Sequence, residues 1–148
     1  MMRLFRANEV AASVFDVDYG RLWSMGVRAL LFDLDNTLGR RGSKSLGVDA
    51  FHLLDDLQAR GFRVGILTNR KRGAANALAA ELAEKYAVLD VARKPSRKGF
   101  TSVLAQLGET PATAAMIGDR RLTDILGANR SGLYSIRVKG FRKRIERR

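Results

Sequence analysis

Asp33 and Asp35 stand two apart in Asp33-Leu34-Asp35-Asn36-Thr37, directly after the apolar run Ala29-Leu30-Leu31-Phe32. A run of that length reads as a buried strand. Two carboxylates at its end are costly unless a cation or a reaction accounts for them. The pleat sends positions i and i+2 to one side, where both acids can share a divalent metal. Asp33 is then placed to attack phosphorus, forming an aspartyl-phosphate and dividing one hard displacement into two easier ones. Asp35 is placed to protonate the leaving oxygen and later to deprotonate the hydrolytic water. Thr37 would brace the loop or Asp35 through its hydroxyl. Taken alone, the spacing could also be a turn or a cap.

Three further clusters fit the same chemistry. Thr68 and Asn69 follow a second apolar run and can donate hydrogen bonds to a phosphoryl oxygen, although Thr-Asn after a strand is also ordinary turn chemistry. Lys94, within Arg93-Lys94-Pro95, would neutralise phosphate charge and hold the Asp33 carboxylate; the competing account is a solvated basic turn. Gly118-Asp119-Arg120-Arg121-Leu122-Thr123-Asp124 supplies two more acids. Mg²⁺ takes hard oxygen ligands and few protein carboxylates. Asp33, Asp119 and the main-chain carbonyl of Asp35 would hold it, with Asp124 acting through water or by orienting Lys94. Acids at a helix N-terminus are the alternative for Asp119 and Asp124.

These positions need a scaffold that brings strand ends together. Strands are expected at 28–33, 63–67, 87–90, 114–117 and 133–138. Helices are expected over about 51–60, 71–86, 97–107 and 122–129, with Ser96 as an N-cap and Gly61 as a C-terminal stop. Residues 1–26 read as partly helical, with Val10, Val14 and Phe15 at helical spacing. Alternating strands and helices imply crossover units and a mainly parallel sheet. Ligands of such sheets sit beyond the carboxyl ends of the strands, where Asp33, Thr68 and Asp119 all fall. His52, Met116 and Tyr134 read as structural.

Composition sets the outer bounds. The 148 residues suit one domain, spanning 1–148 with a basic tail from 139, and a 46% hydrophobic content is too high for disorder. Cysteine is absent, which excludes disulfides and thiolate chemistry. No leader or membrane-spanning run is evident, so a cytoplasmic location is expected. Lys and Arg number 27 against 15 acids, a net charge of +12 that attracts polyanions: phosphorylated substrates, anionic lipid or nucleic acid.

With the four clusters in this order, the chain resembles the haloacid dehalogenase (HAD) superfamily. Within it, the chain is similar to the YqeG-type subfamily IIIA phosphatases, relatives of phosphatidylglycerophosphate phosphatases. Leu34 to Leu38, Ala92 to Pro95, and Ile117 to Tyr134 carry the likeness. It implies an α/β three-layer, Rossmann-like sandwich with five strands in the order 5-4-1-2-3 and no large cap domain. It also implies Asp33 as nucleophile, Asp35 as acid/base, Thr68 and Lys94 as phosphate contacts, Asp119 as metal ligand and Mg²⁺ as cofactor. The acid at position 35 separates the chain from dehalogenase-like members and P-type ATPases. The basic stretch Gly39 to Lys44 departs from the family pattern.

Little sequence separates Thr37 from the next helix or Thr68 from Lys94, so the site is expected to be open and to suit a phosphate on a macromolecule or membrane. Arg40, Arg41, Lys44, Arg70, Lys71, Arg72, Arg93, Arg97, Lys98, Arg120 and Arg121 should surround it, with Arg142, Lys143, Arg144, Arg147 and Arg148 in the tail. A phospholipid monoester, with phosphatidylglycerophosphate suggested by the resemblance, is the first substrate class, docked peripherally on the inner membrane face; Leu4, Phe5 and Trp23 could help there, although a chain of this size favours core packing for Phe and Trp. The alternative is phosphatase or binding activity on nucleic acid or the ribosome.

Overall fold

The computed structural model describes residues 2–70, 77–90 and 92–142. Lys71, Arg72 and the first turns of the Ala-rich helix lie outside them, as do the tail cations from Lys143 onward. Six parallel strands form one sheet: β1 (Glu9–Ala11), β2 (Ala29–Phe32), β3 (Arg63–Leu67), β4 (Ala87–Leu89), β5 (Ala114–Gly118) and β6 (Tyr134–Val138). They lie in the order β1-β6-β5-β2-β3-β4, six strands where five were expected. Without β1 the remaining five follow the expected sequence.

The helices are α1 (Tyr19–Ser24), α2 (Val48–Ala59), α3 (Ala77–Leu82), α4 (Arg97–Leu107) and α5 (Leu126–Ser131). Every residue of β2 and β5 is buried, because strands inside a parallel sheet are covered on both faces. Alternation splits them between two cores. Leu30, Phe32, Val64, Ile66, Ala115 and Ile117 pack with Leu54 and Leu57 of α2, Leu78 and Leu82 of α3, and Val14 and Leu22. Ala29, Leu31, Leu67, Ala114 and Met116 pack with Phe100, Val103 and Leu104 of α4 and Ala128 of α5. The result is helix, sheet, helix in three layers.

The N-terminal segment corrects the helical reading. Val10 is exposed on β1, which pairs with β6 at the sheet edge, and Val14 enters the core from a short 3₁₀ turn. Helical spacing at 10, 14 and 15 misled because three residues of strand are too few to show alternation. Side chains hold this edge: the Tyr134 hydroxyl donates to Glu9 Oε1 at 2.8 Å, and Arg21 pairs with the same carboxylate. Asn129 Nδ2 donates to the carbonyls of Leu4 and Arg6 at 2.8 and 2.9 Å, while its Oδ1 accepts from the Ser135 hydroxyl at 2.7 Å. The start of the basic tail is fixed too, since Lys139 N donates to Ala11 O at 3.1 Å. Trp23 is not a core residue: it is 38% exposed, edge-on to Phe62, with the Arg28 guanidinium 3.7 Å from its ring centre.

Asn129→Ala should therefore cost about 1 kcal/mol or more of stability and speed hydrogen exchange at Glu9–Ala11 well before the central strands. Denaturant titration with amide exchange checks this; uniform exchange across the sheet would count against it.

Candidate active site

Strand register assembles the acids. Phe32 lies opposite Ile117 on one side and Ile66 on the other, so Asp33, Leu67-Thr68 and Gly118-Asp119 emerge side by side. Asp33 N donates to Ile117 O at 3.0 Å, and Thr68 N donates to Leu89 O at 3.0 Å, which carries the alignment across to β4.

Lys94 is the hub. Its side chain is 2% exposed, and its Nζ donates to Asp33 Oδ1 at 2.7 Å, Asp124 Oδ1 at 2.6 Å and the Leu67 carbonyl at 2.9 Å. Three donors meet three acceptors, so the buried ammonium is fully satisfied. Burial alone would lower its pKa, but Asp124 and Asp33 together hold it above the ordinary lysine value. Asn69 fixes the backbone beneath it: its Oδ1 accepts from Lys94 N at 2.8 Å, and its Nδ2 donates to Lys94 O at 3.2 Å. The Asn69 amide expected at phosphate is thus committed to positioning Lys94.

One lysine does not balance the acids around it. Asp33, Asp119 and Asp124 each offer an oxygen within 4.8 Å of the others. Asp124 is fully buried, which pushes its carboxyl up to about 8 against the pull of Lys94, and burial raises Asp119 as well, with Asn36 opposing. Asp124 uses both oxygens, the second accepting from Arg120 N at 3.1 Å. Asp119 accepts from Asn36 Nδ2 at 3.1 Å on one oxygen, while its Oδ1 is buried with no partner. An orphaned buried carboxylate oxygen beside Asp33 fits a divalent metal that takes oxygen ligands. Glycine at 118 makes the arrangement possible: a Cβ there would meet the Asp124 carboxylate at 2.3 Å.

Asp35 faces a different partner. Arg70 Nε reaches both its oxygens at 3.1 Å, Nη2 donates to Oδ1 at 2.7 Å, and Gly42 N donates to Oδ1 at 2.8 Å. Partial burial works to raise its pKa, but these donors outweigh it and hold Asp35 below the usual carboxylate value. Arg70 Nη1 also donates to Ser43 O at 2.8 Å, tying the basic loop over this side of the site. Thr68 is buried, its Oγ1 accepting from Arg70 N at 3.1 Å. The brace expected of Thr37 is not formed: its buried hydroxyl has no hydrogen-bond partner. A pocket of about 240 Å³ opens over these groups, lined by Asp33, Asp35, Arg41, Asn69, Arg70, Lys94, Arg120 and Thr123. His52 is exposed on α2 and lines a separate groove.

Two residues of the site were not singled out from the sequence. Asn36 takes φ 55°, a left-handed conformation that asparagine tolerates. It links Asp119 to Phe141 N, which donates to its Oδ1 at 3.1 Å. An asparagine directly after the second acid was the available signal. Arg70 was read as one cation among many, and its pairing with Asp35 spans 35 positions.

Parallel sheet, acids at the ends of two neighbouring strands and a buried lysine among them describe a class of phosphate-handling hydrolase. Residues 44–132 match the haloacid dehalogenase-like hydrolase family, and the chain belongs to it. It is a phosphatase of that family, a phosphoric monoester hydrolase. The chain is 25% identical over 138 residues to "Probable phosphatase YqeG" of Bacillus subtilis, covering 93% of this chain and 79% of that one. It is 35% identical over 91 residues to the phosphoglycolate phosphatase of Rhodospirillum rubrum, over 57% of this chain but only 37% of that protein. The crystal structure of an HAD phosphatase from Thermococcus onnurineus superposes with a TM-score of 0.62 at 17% identity, covering 75% and 86% of the two chains, and shares the fold.

Two consequences follow for stability. Lys94→Met should destabilise the metal-free protein by about 3–5 kcal/mol, because Asp33 would be left buried without its counter-charge and Asp124 and the Leu67 carbonyl without their donor; a loss under 1 kcal/mol in urea titration would contradict this. Asp124 holds its proton more tightly folded than unfolded, so its contribution is complete at low pH and is lost as pH rises from the ordinary carboxyl range through about 8. Metal-free stability should fall across that window, and added Mg²⁺ should flatten the fall.

Proposed function

We propose that this protein is a Mg²⁺-dependent phosphomonoester hydrolase that works through a phosphorylated Asp33 and accepts phosphate presented on a large or membrane-borne molecule. The carrying observation is the Lys94 hub, which fixes Asp33 beside the orphaned oxygen of Asp119.

In this reading Asp33 attacks phosphorus, an Asp33–O–P bond forms, and the bond to the leaving alcohol breaks. Lys94 keeps the attacking carboxylate ionised and aimed, and Asp124 orients Lys94 from behind. The Thr68 hydroxyl, whose oxygen already accepts from Arg70 N, is free to turn its hydrogen to a phosphoryl oxygen. Asp35, which must part from Arg70 and bind a proton first, passes that proton to the leaving oxygen and, in the second half, takes one from water that releases phosphate from Asp33. A bound Mg²⁺, held by Asp33, Asp119 and the Asp35 carbonyl, would offset the negative charge of the phosphoryl oxygens. Asn36 positions Asp119, and Arg70 holds Asp35 in the ionised form that takes a proton from water.

Openness supports a large substrate. The loop between Leu38 and α2 is short, and the described residues between Asn69 and Lys94 comprise α3 and β4. Leu4, Phe5 and Leu122 expose 38, 40 and 68% of their surface, and the 3₁₀ turn at Met2–Phe5 packs beside the turn at Arg121–Ile125 that follows Asp119. Each arginine near an anionic bilayer contributes about 1 kcal/mol, which fits reversible docking on the inner membrane face. No helix among the described residues is long and apolar enough to cross a membrane.

The test is phosphate release from phosphatidylglycerophosphate in anionic micelles, alongside an aryl phosphate. Release of both should need Mg²⁺ and drop by at least about 10³-fold in Asp33→Asn. Retained turnover in that variant would sink the covalent reading. Cleavage of the aryl phosphate alone would sink the lipid assignment and direct the search to nucleic-acid ends.

A further inference from the structure

The cations of the pocket are not all spent on its acids. Four line it, Arg41, Arg70, Lys94 and Arg120. Lys94 is committed to Asp33 and Asp124, and Arg70 to Asp35 and Ser43. Among the described residues, no hydrogen bond or ion pair engages the side chain of Arg41 or Arg120. Arg41 acts on Asp35 only through space.

Both are nevertheless anchored to the site through the backbone. Gly42 N, next to Arg41, donates to Asp35 Oδ1 at 2.8 Å, and Arg120 N itself donates to Asp124 Oδ2 at 3.1 Å. Their sequence neighbours Arg40 and Arg121 do not line the pocket. One arginine of each pair therefore lines the cavity, and the two come from different segments: the loop after the first acid pair and the turn after Asp119. The pocket, about 240 Å³, has room for more than a single phosphate group. Lys94 lines the pocket beside Asp33, where the scissile phosphate must sit. The remaining space has two unpaired guanidinium groups on its walls, and guanidinium forks match phosphate oxygens in pairs.

Resting on the phosphatase reading above, we propose that Arg41 and Arg120 form a second anion subsite, so that the substrate carries another phosphate-type group a few bonds from the one removed. A lone alkyl phosphate would fill only the floor of the pocket. A compound with two phosphate groups would fill floor and walls and neutralise both arginines, which gives the site a preference that the hydrolytic machinery alone does not supply.

The experiment compares kcat/KM for propyl phosphate with that for propane-1,3-diyl, butane-1,4-diyl and pentane-1,5-diyl bisphosphates, in wild type, Arg41→Gln, Arg120→Gln and the double variant. Each ratio is taken within one protein preparation, so differences in folded fraction cancel. After correction for two equivalent phosphates, wild type should prefer at least one bisphosphate by about tenfold or more. Each single variant should lose part of that ratio, and the double variant should bring it near unity. No preference in wild type for any spacing, or a preference that survives in the double variant, overturns the subsite while leaving the phosphatase intact. No turnover of any of the four compounds, of phosphatidylglycerophosphate or of the aryl phosphate would overturn the phosphatase reading, and the subsite with it.

Discussion

A single buried ammonium organises this protein. Lys94 enters from the loop before α4 and meets carboxylates from β2 and from the turn after β5, together with a carbonyl of β3. It joins the two loops that follow the central strands to the end of a third, so the geometry at Asp33 is set by the same contacts that hold the strand ends together. Burying a charge is tolerable only when its donors are filled, and here all three are. The surplus of acid over base around it is what makes the place hospitable to a metal ion.

The rest of the architecture serves that junction. Two cores of opposite strand parity clamp the sheet, so β2 and β5 keep register and deliver Asp33 and Asp119 to neighbouring positions. Asn69 and Asn36, both from loops that leave strand ends, align Lys94 and Asp119 without taking part in the charge balance. Gly127 lets α5 approach α4, since a Cβ would meet the Phe100 ring at 2.5 Å, and this brings the Asp124 turn down onto the sheet.

Much of this was legible in the sequence, and the reason is physical. Asp33, Thr68 and Asp119 each follow an apolar run, and in a parallel sheet the ends of such runs converge. The strand at 63–67 and the helix capped by Ser96 agree with the observed elements. What was hidden depends on tertiary pairing. Strand β1 is three residues at an edge, stabilised by Tyr134, Arg21 and Asn129 rather than by its own pattern. Arg70 looked like its neighbours because nothing local distinguishes a guanidinium that will meet a carboxylate 35 residues away. Thr37, expected to brace Asp35, is buried with its hydroxyl unpaired, and sequence spacing could not show which way it turns.

The chain closes on itself late. Edge strand β1 pairs only with β6, and Asn36, which steadies Asp119, receives its second hydrogen bond from Phe141. Positions 9–11 therefore wait for positions 136–138, and Asn36 for Phe141. On a ribosome, the acids of the first half would be exposed for most of synthesis, within a chain whose sheet edge has no partner until position 134 has emerged.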